Sequence, residues 1–132
     1  MKVEVYVGTC VPNSPGHCRV VAVNLATRHE VELRPTRRPG SILHSPDGFA
    51  WGYQGSGPAQ LAQELLRHHT GRDPHPALYQ QFKRELVARW PIDDGWTLKP
   101  ERIDAWLDAY GEGPRWLDEL DAEPQDADPE PW

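Results

Sequence analysis

Residues 48–66, GFAWGYQGSGPAQLAQELL, place glycines at 52, 55 and 57 directly ahead of a run with helical apolar spacing. A helix leaves its first backbone N–H groups without intrahelical partners and carries a partial positive charge at that end. Glycine lets a ligand or another backbone come close. Gly55, Ser56 and Gly57 ahead of Pro58 therefore suit a phosphate, carboxylate or nucleotide, with the Ser56 hydroxyl as a partner and Trp51 or Tyr53 as stacking faces. The stretch lacks the lysine of a GxxxxGK[ST] phosphate loop and is not a GxGxxG turn after a parallel strand. An architectural reading stands beside this one. A strand meeting a helix at a steep angle also needs glycines, and Phe49 and Trp51 would then pack beneath the helices as core.

Other constellations carry less. His68, His69, Asp73 and His75 fall close together, but adjacent histidines on a helix point about 100° apart and do not share one ion. We expect a solvated, cationic helix end there, with no metal and no cofactor. Cys10 with His17, and Ser45 with His44 and Asp47, are the local candidates for nucleophilic catalysis. Such sets are built by tertiary contact rather than by sequence neighbours, so no catalytic residue is assigned. Arg34, Arg37 and Arg38 gather in RPTRRPG, and Lys83, Arg84 and Arg89 follow on a helix. Of these, Arg37 and Arg38 join Trp51, Tyr53, Gly55, Ser56 and Gly57 as the candidate ligand-binding set, and the remainder reads as solvated surface.

These residues must be held by a small number of elements. KVEVYVG alternates Val3, Val5 and Val7 against Lys2, Glu4 and Tyr6, the period of a strand with one buried face. CRVVAVNL (18–25) and HEVELR (29–34) predict two more strands and a three-stranded antiparallel meander. Residues 35–48 hold three prolines and no period, so they form a loop that carries Ile42 and Leu43 inward. From Pro58, placed at the first helical position, Leu61, Ala62, Leu65 and Leu66 predict a helix closing at Gly71. Leu78, Phe82 and Leu86 predict a second helix stopped by Pro91. Ile103, Trp106, Leu107 and Tyr110 predict a third opening at Pro100. Strands followed by helices give an α+β domain over residues 1–113.

The chain has 132 residues and a net charge of −6. Residues 114–132 hold seven acidic residues and one arginine, which leaves 13 acidic and 13 basic residues in 1–113. The negative charge thus belongs to an acidic tail, expected to be largely disordered. The neutral body argues against duplex nucleic acid as a partner. With no long apolar run and no signal peptide, the expected setting is cytoplasmic, without a membrane. There Cys10 and Cys18 read as two thiols on neighbouring strands.

FAWGYQGSGPAQLA, followed by LYQQFKRELVARWP and WTL, resembles a family of small uncharacterised bacterial and phage proteins marked by an F-x-W-G-Y-x-G-S-G-P corner and a Y-x-x-F-K-x-E helix. The resemblance covers about residues 46–98 and implies no reaction. It implies a compact unit found alongside mobile elements, where non-enzymatic binders and inhibitors are common. The expected function is accordingly a non-enzymatic binding protein that meets a protein partner through the aromatic and glycine corner and nearby arginines. The alternatives are a small anionic or nucleotide ligand at the Gly-Ser-Gly-Pro helix start and, beyond that, a small hydrolase.

Overall fold

In the computed structural model, residues 2–10, 18–46, 48–92 and 94–110 are described. Strands β1 (Val5–Cys10) and β2 (Cys18–Asn24) pair antiparallel with Tyr6 opposite Ala22 and Gly8 opposite Val20. Strand β3 (His29–Leu33) adds to the far side of β2, with Val31 opposite Ala22 and Leu33 opposite Val20. The sheet has four strands rather than three. Strand β4 (Trp96–Leu98) pairs with the free side of β1, giving the order β3-β2-β1-β4. The three residues Trp96–Leu98 are too few to show a period, which is why the pattern of the chain does not announce β4.

The core lies on the opposite face of β1 from the one its valines predict. Tyr6, Val20, Ala22, Leu33, Trp96 and Leu98 join the hydrophobic core, whereas Val5 and Val7 lie on the other face beside Val23 and Val21. Tyr6 tolerates burial because its ring is apolar and its hydroxyl reaches His68 Nδ1 at 2.9 Å.

Helix α1 (Ser56–Thr70) is buried at every position from Gly57 to Leu66. It ends at Gly71 in the left-handed conformation, whose N–H bonds Arg67 O, as the glycine there predicts. Helix α2 (Pro76–Glu85) is capped by His75, whose Nδ1 accepts from the Ala77 N–H at 3.0 Å. It stops short of Pro91 and passes into a 3₁₀ turn at Val87–Arg89. Helix α3 (Pro100–Ala109) opens at its proline as expected. Phe82 of α2 meets Trp106 of α3 edge to face at 5.0 Å. Ile42 is 52% exposed rather than turned inward. The acidic tail expected at 114–132 lies outside the described residues.

Cys10 and Cys18, read as free thiols, are joined by a disulfide. They are direct cross-strand partners in the β1–β2 ladder, a juxtaposition that sequence spacing alone does not reveal. Reduction of this short loop closure should lower the unfolding free energy by about 2.5 kcal/mol, read as a lower urea midpoint in the presence of dithiothreitol. Gly52 has φ +90, and a Cβ there would stand 2.5 Å from Ile92 Cα. Gly52→Ala should therefore cost roughly 3 kcal/mol in urea titrations. Gly40→Ala, at φ +81 with nothing nearby, carries only the backbone strain, about 1 kcal/mol.

Candidate functional site

The corner begins at Trp51, which is buried at 1% exposure. Its indole meets Trp96 edge to face at 5.5 Å, and Trp96 stacks on Trp90 at 4.3 Å. Trp51 Nε1 donates to Asp94 O at 2.9 Å, and the next amide, Gly52 N–H, donates to Val87 O at 3.0 Å. Trp51 is thus an anchor for the chain and is not open as a stacking face. Tyr53 turns the other way and is 44% exposed.

Gly55 and Gly57 are also buried. A Cβ on Gly55 would stand 2.7 Å from the Tyr53 ring, and one on Gly57 would stand 2.7 Å from Ala50 Cβ. These glycines make room for Tyr53 and for the chain at Ala50, which comes into the helix as irregular backbone rather than as the strand expected. The helix starts at Ser56, two residues earlier than the proline suggests, with Gly55 as its cap. No side chain caps this end, and its first turn holds no acidic residue. Ala59 N–H takes up Gly55 O at 3.1 Å. Ser56 is half-buried beside this uncapped start.

The arginines stand elsewhere. Arg38 binds Glu64 through Nη1 at 3.1 Å and Asp73 through Nε at 2.6 Å. Glu64 lies eight residues along α1 from Ser56, about 12 Å away along the axis, and Asp73 lies beyond the end of the helix. Arg37 is exposed on the same loop. Arg38 and the glycine corner therefore belong to different parts of α1, and one small ligand does not bridge them.

A buried polar ladder on α1 replaces the solvated surface expected here. Gln60 Oε1 accepts from His44 N–H at 2.7 Å and Ser45 N–H at 3.1 Å, and Gln60 Nε2 donates to Gln63 and Glu64. Glu64 Oε2 also accepts from Thr36 N–H at 3.0 Å. The proline-rich loop thus finds side-chain partners on the helix for backbone groups that no strand satisfies. Lys83, read as a surface cation, is fully buried. One available signal was missed: residues 49–63 contain no charged side chain, as befits a helix start enclosed on all sides.

Two tyrosine–histidine pairs bind neighbouring segments together, one of them through His68 of α1 itself. Tyr79 Oη lies 2.6 Å from His44 Nε2, as Tyr6 Oη lies beside His68. Burial pushes both tyrosines up to about 12. Burial, followed by the Lys83 charge, lowers His44, and burial followed by Arg67 and His69 lowers His68. His69 bonds Asp104 at 2.6 Å, so the histidines near the end of α1 are engaged separately. His44 faces Tyr79 and Cys10 is oxidised; His17 and Asp47, their proposed neighbours, lie outside the described residues.

Residues 16–109 match the profile of a family of unknown function, DUF6166. The chain belongs to this family. As a DUF6166 member it also shares a stretch of 49 residues with phosphatidylethanolamine N-methyltransferases, at 37% identity in Aspergillus clavatus and 35% in Aspergillus flavus. That stretch is 37% of this chain but only 5% of each fungal protein, and so small a share does not carry their activity across. No solved structure shows a significant match.

The histidines set a pH dependence. Both are held neutral in the fold below their ordinary value, so their contribution is fully present above the unfolded pKa of about 6.5. It is lost as pH falls through the lowered folded values. Urea midpoints should fall as pH drops from about 7.5 to 5, and the His44→Gln/His68→Gln variant should show a flatter profile over the same range.

Proposed function

We propose that this DUF6166 chain is a non-enzymatic binding module that meets a protein partner at the surface of its glycine corner. The observation that carries this reading is the exposure of Tyr53, 44%, and of Ile92, 55%, on the two chain segments that touch at Gly52. Aromatic and arginine side chains dominate interface energetics, and exposed Arg89 closes the adjoining 3₁₀ turn. The backbone beneath is fixed by Trp51 and by the Gly52–Val87 hydrogen bond, so little ordering cost accompanies binding.

A phage or mobile-element setting completes the reading. Among the described residues no helix is long and apolar enough to cross a membrane. The Cys10–Cys18 disulfide favours an oxidising compartment over the cytoplasm expected from the sequence.

The uncapped start of α1 supports a second reading, a small anion at Ser56 beneath the Tyr53 ring. Two measurements separate the readings. A partner recovered from lysate by the wild-type chain should be lost with Tyr53→Ala/Ile92→Asp, a change to two exposed side chains; retention by the folded variant contradicts the protein-binding reading. For the anion reading, a nucleotide or inorganic phosphate at a hundred times its dissociation constant adds about 2.7 kcal/mol. That should raise Tm by several degrees and fail to do so in Ser56→Asp.

A further inference from the structure

Residues 35–46 run from β3 towards the corner with no strand or helix of their own, and they lie along α1 as a strap held at two places. The first hold is ionic. Thr36 N–H donates to Glu64 Oε2 at 3.0 Å, and Arg38 binds Glu64 at 3.1 Å and Asp73 at 2.6 Å. The second hold lies at residues 44 and 45. Gln60 Oε1 accepts from both of their amides, and the His44 ring meets Tyr79 edge to face at 5.5 Å with Nε2 at 2.6 Å from the Tyr79 hydroxyl. Between the holds Gly40 has φ +81 and Ile42 is exposed, while Phe49 is the next buried apolar side chain along the chain.

The second hold closes over buried polar groups, since Gln60 and Tyr79 are both buried beneath it. From α2, His44 meets the Tyr79 hydroxyl and feels the charge of Lys83, itself fully buried. From α1 it meets uncharged Gln60. One turn further on, the Glu64 carboxylate is taken up by Thr36, Arg38 and Gln60 Nε2. Asp47, on its own segment, lies outside the described residues. A neutral imidazole can accept the Tyr79 O–H at Nε2. A proton added there takes that acceptor away, leaves a buried hydroxyl to be satisfied elsewhere, and sets a second positive charge in the field of Lys83. Burial first and the Lys83 charge second accordingly hold His44 below its ordinary value. Off the helix, the imidazolium is solvated and none of these costs applies.

We propose that His44 is a pH-operated latch on this strap. On protonation the segment between Arg38 and Phe49 leaves α1 and uncovers Gln60 and Tyr79, while the ionic hold at Thr36 and Arg38 keeps the first part of the strap in place. The released chain leads into the corner, but Trp51 and Gly52 are tied to the backbone carbonyls of Asp94 and Val87, which do not titrate. The device therefore opens one face of α1 and α2 without dismantling the fold, in the manner of a local opening below the global unfolding free energy. Its test reads the fold alone and stands whether or not the corner binds a partner.

The experiment is amide hydrogen exchange on the full chain, resolved by NMR, with protection factors followed from about pH 7.5 to 5, above the ordinary carboxylate range. Protection of the His44 and Ser45 amides should fall roughly tenfold per pH unit below about 6.5, the response to one proton taken up by the open form. At the acid end it should stand at least about tenfold below that of the Thr36 amide and of the β2 amides, with no acceleration by low urea, because a local opening exposes little surface. In His44→Gln, which has no titrating ring, the Ser45 amide should lose its pH slope. The proposal is overturned if, at the acid end, His44 and Ser45 exchange no faster than Thr36, or if the Ser45 slope survives in His44→Gln. Should that variant fail to fold, the comparison with Thr36 in the wild-type chain decides alone.

Discussion

Enclosure of the Trp51 indole is the interaction on which the rest of the structure depends. The ring stands edge to face on Trp96, which is itself stacked on Trp90. Each such aromatic contact is worth about 0.5–1.5 kcal/mol beyond the area it buries. The chain that carries Trp51 is thereby joined to the 3₁₀ turn and to β4, segments about forty residues later in sequence. The glycines around it follow from this closeness. Gly52 passes against Ile92, while Gly55 and Gly57 pass beneath Tyr53 and Ala50. The corner is a rigid mount, and what it offers to solvent is set by the two side chains that turn away from it.

Helix α1 is the second determinant, because it is enclosed by the sheet, α2 and the proline-rich loop at once. From Gly57 to Leu66 the helix has no solvent face on which to put polar residues, and unpaired polar groups in such a place are costly. Gln60 and Glu64 are tolerated because they satisfy the amides of Thr36, His44 and Ser45. The same requirement carries Arg38 to Glu64 and so places the arginine loop by a groove beside β3 instead of by Ser56. Polar satisfaction within the core thus decides which charged residues share a surface.

Sequence pattern carried the helices and the first three strands well, since Gly71, Pro100 and the spacing of Leu61, Leu65 and Leu66 are local signals with local causes. The α+β architecture follows from their order. The facing of β1 did not, because alternation of Val3, Val5 and Val7 looks the same whichever side the helices cover. Tyr6 wins the core through a partner, His68, sixty-two residues away. Lys83 and Arg38 were misplaced for a related reason: charge marks a residue as exposed unless the partner that lets it be buried is known, and that partner is a tertiary fact. Of the candidate site, Tyr53 and Ser56 keep some exposure, Trp51 does not, and Ile92 carried no pattern that tied it to the corner.

Hydrogen exchange of the Trp51 indole N–H and the Gly52 amide, resolved by NMR, tests the central claim most directly. If the corner is a mount built around an enclosed indole, both protons exchange only by global unfolding, with protection equal to that of the β2 core amides. Exchange of either proton orders of magnitude faster than those amides, under conditions where the fold is intact, would show that Trp51 opens to solvent on its own and would contradict this account.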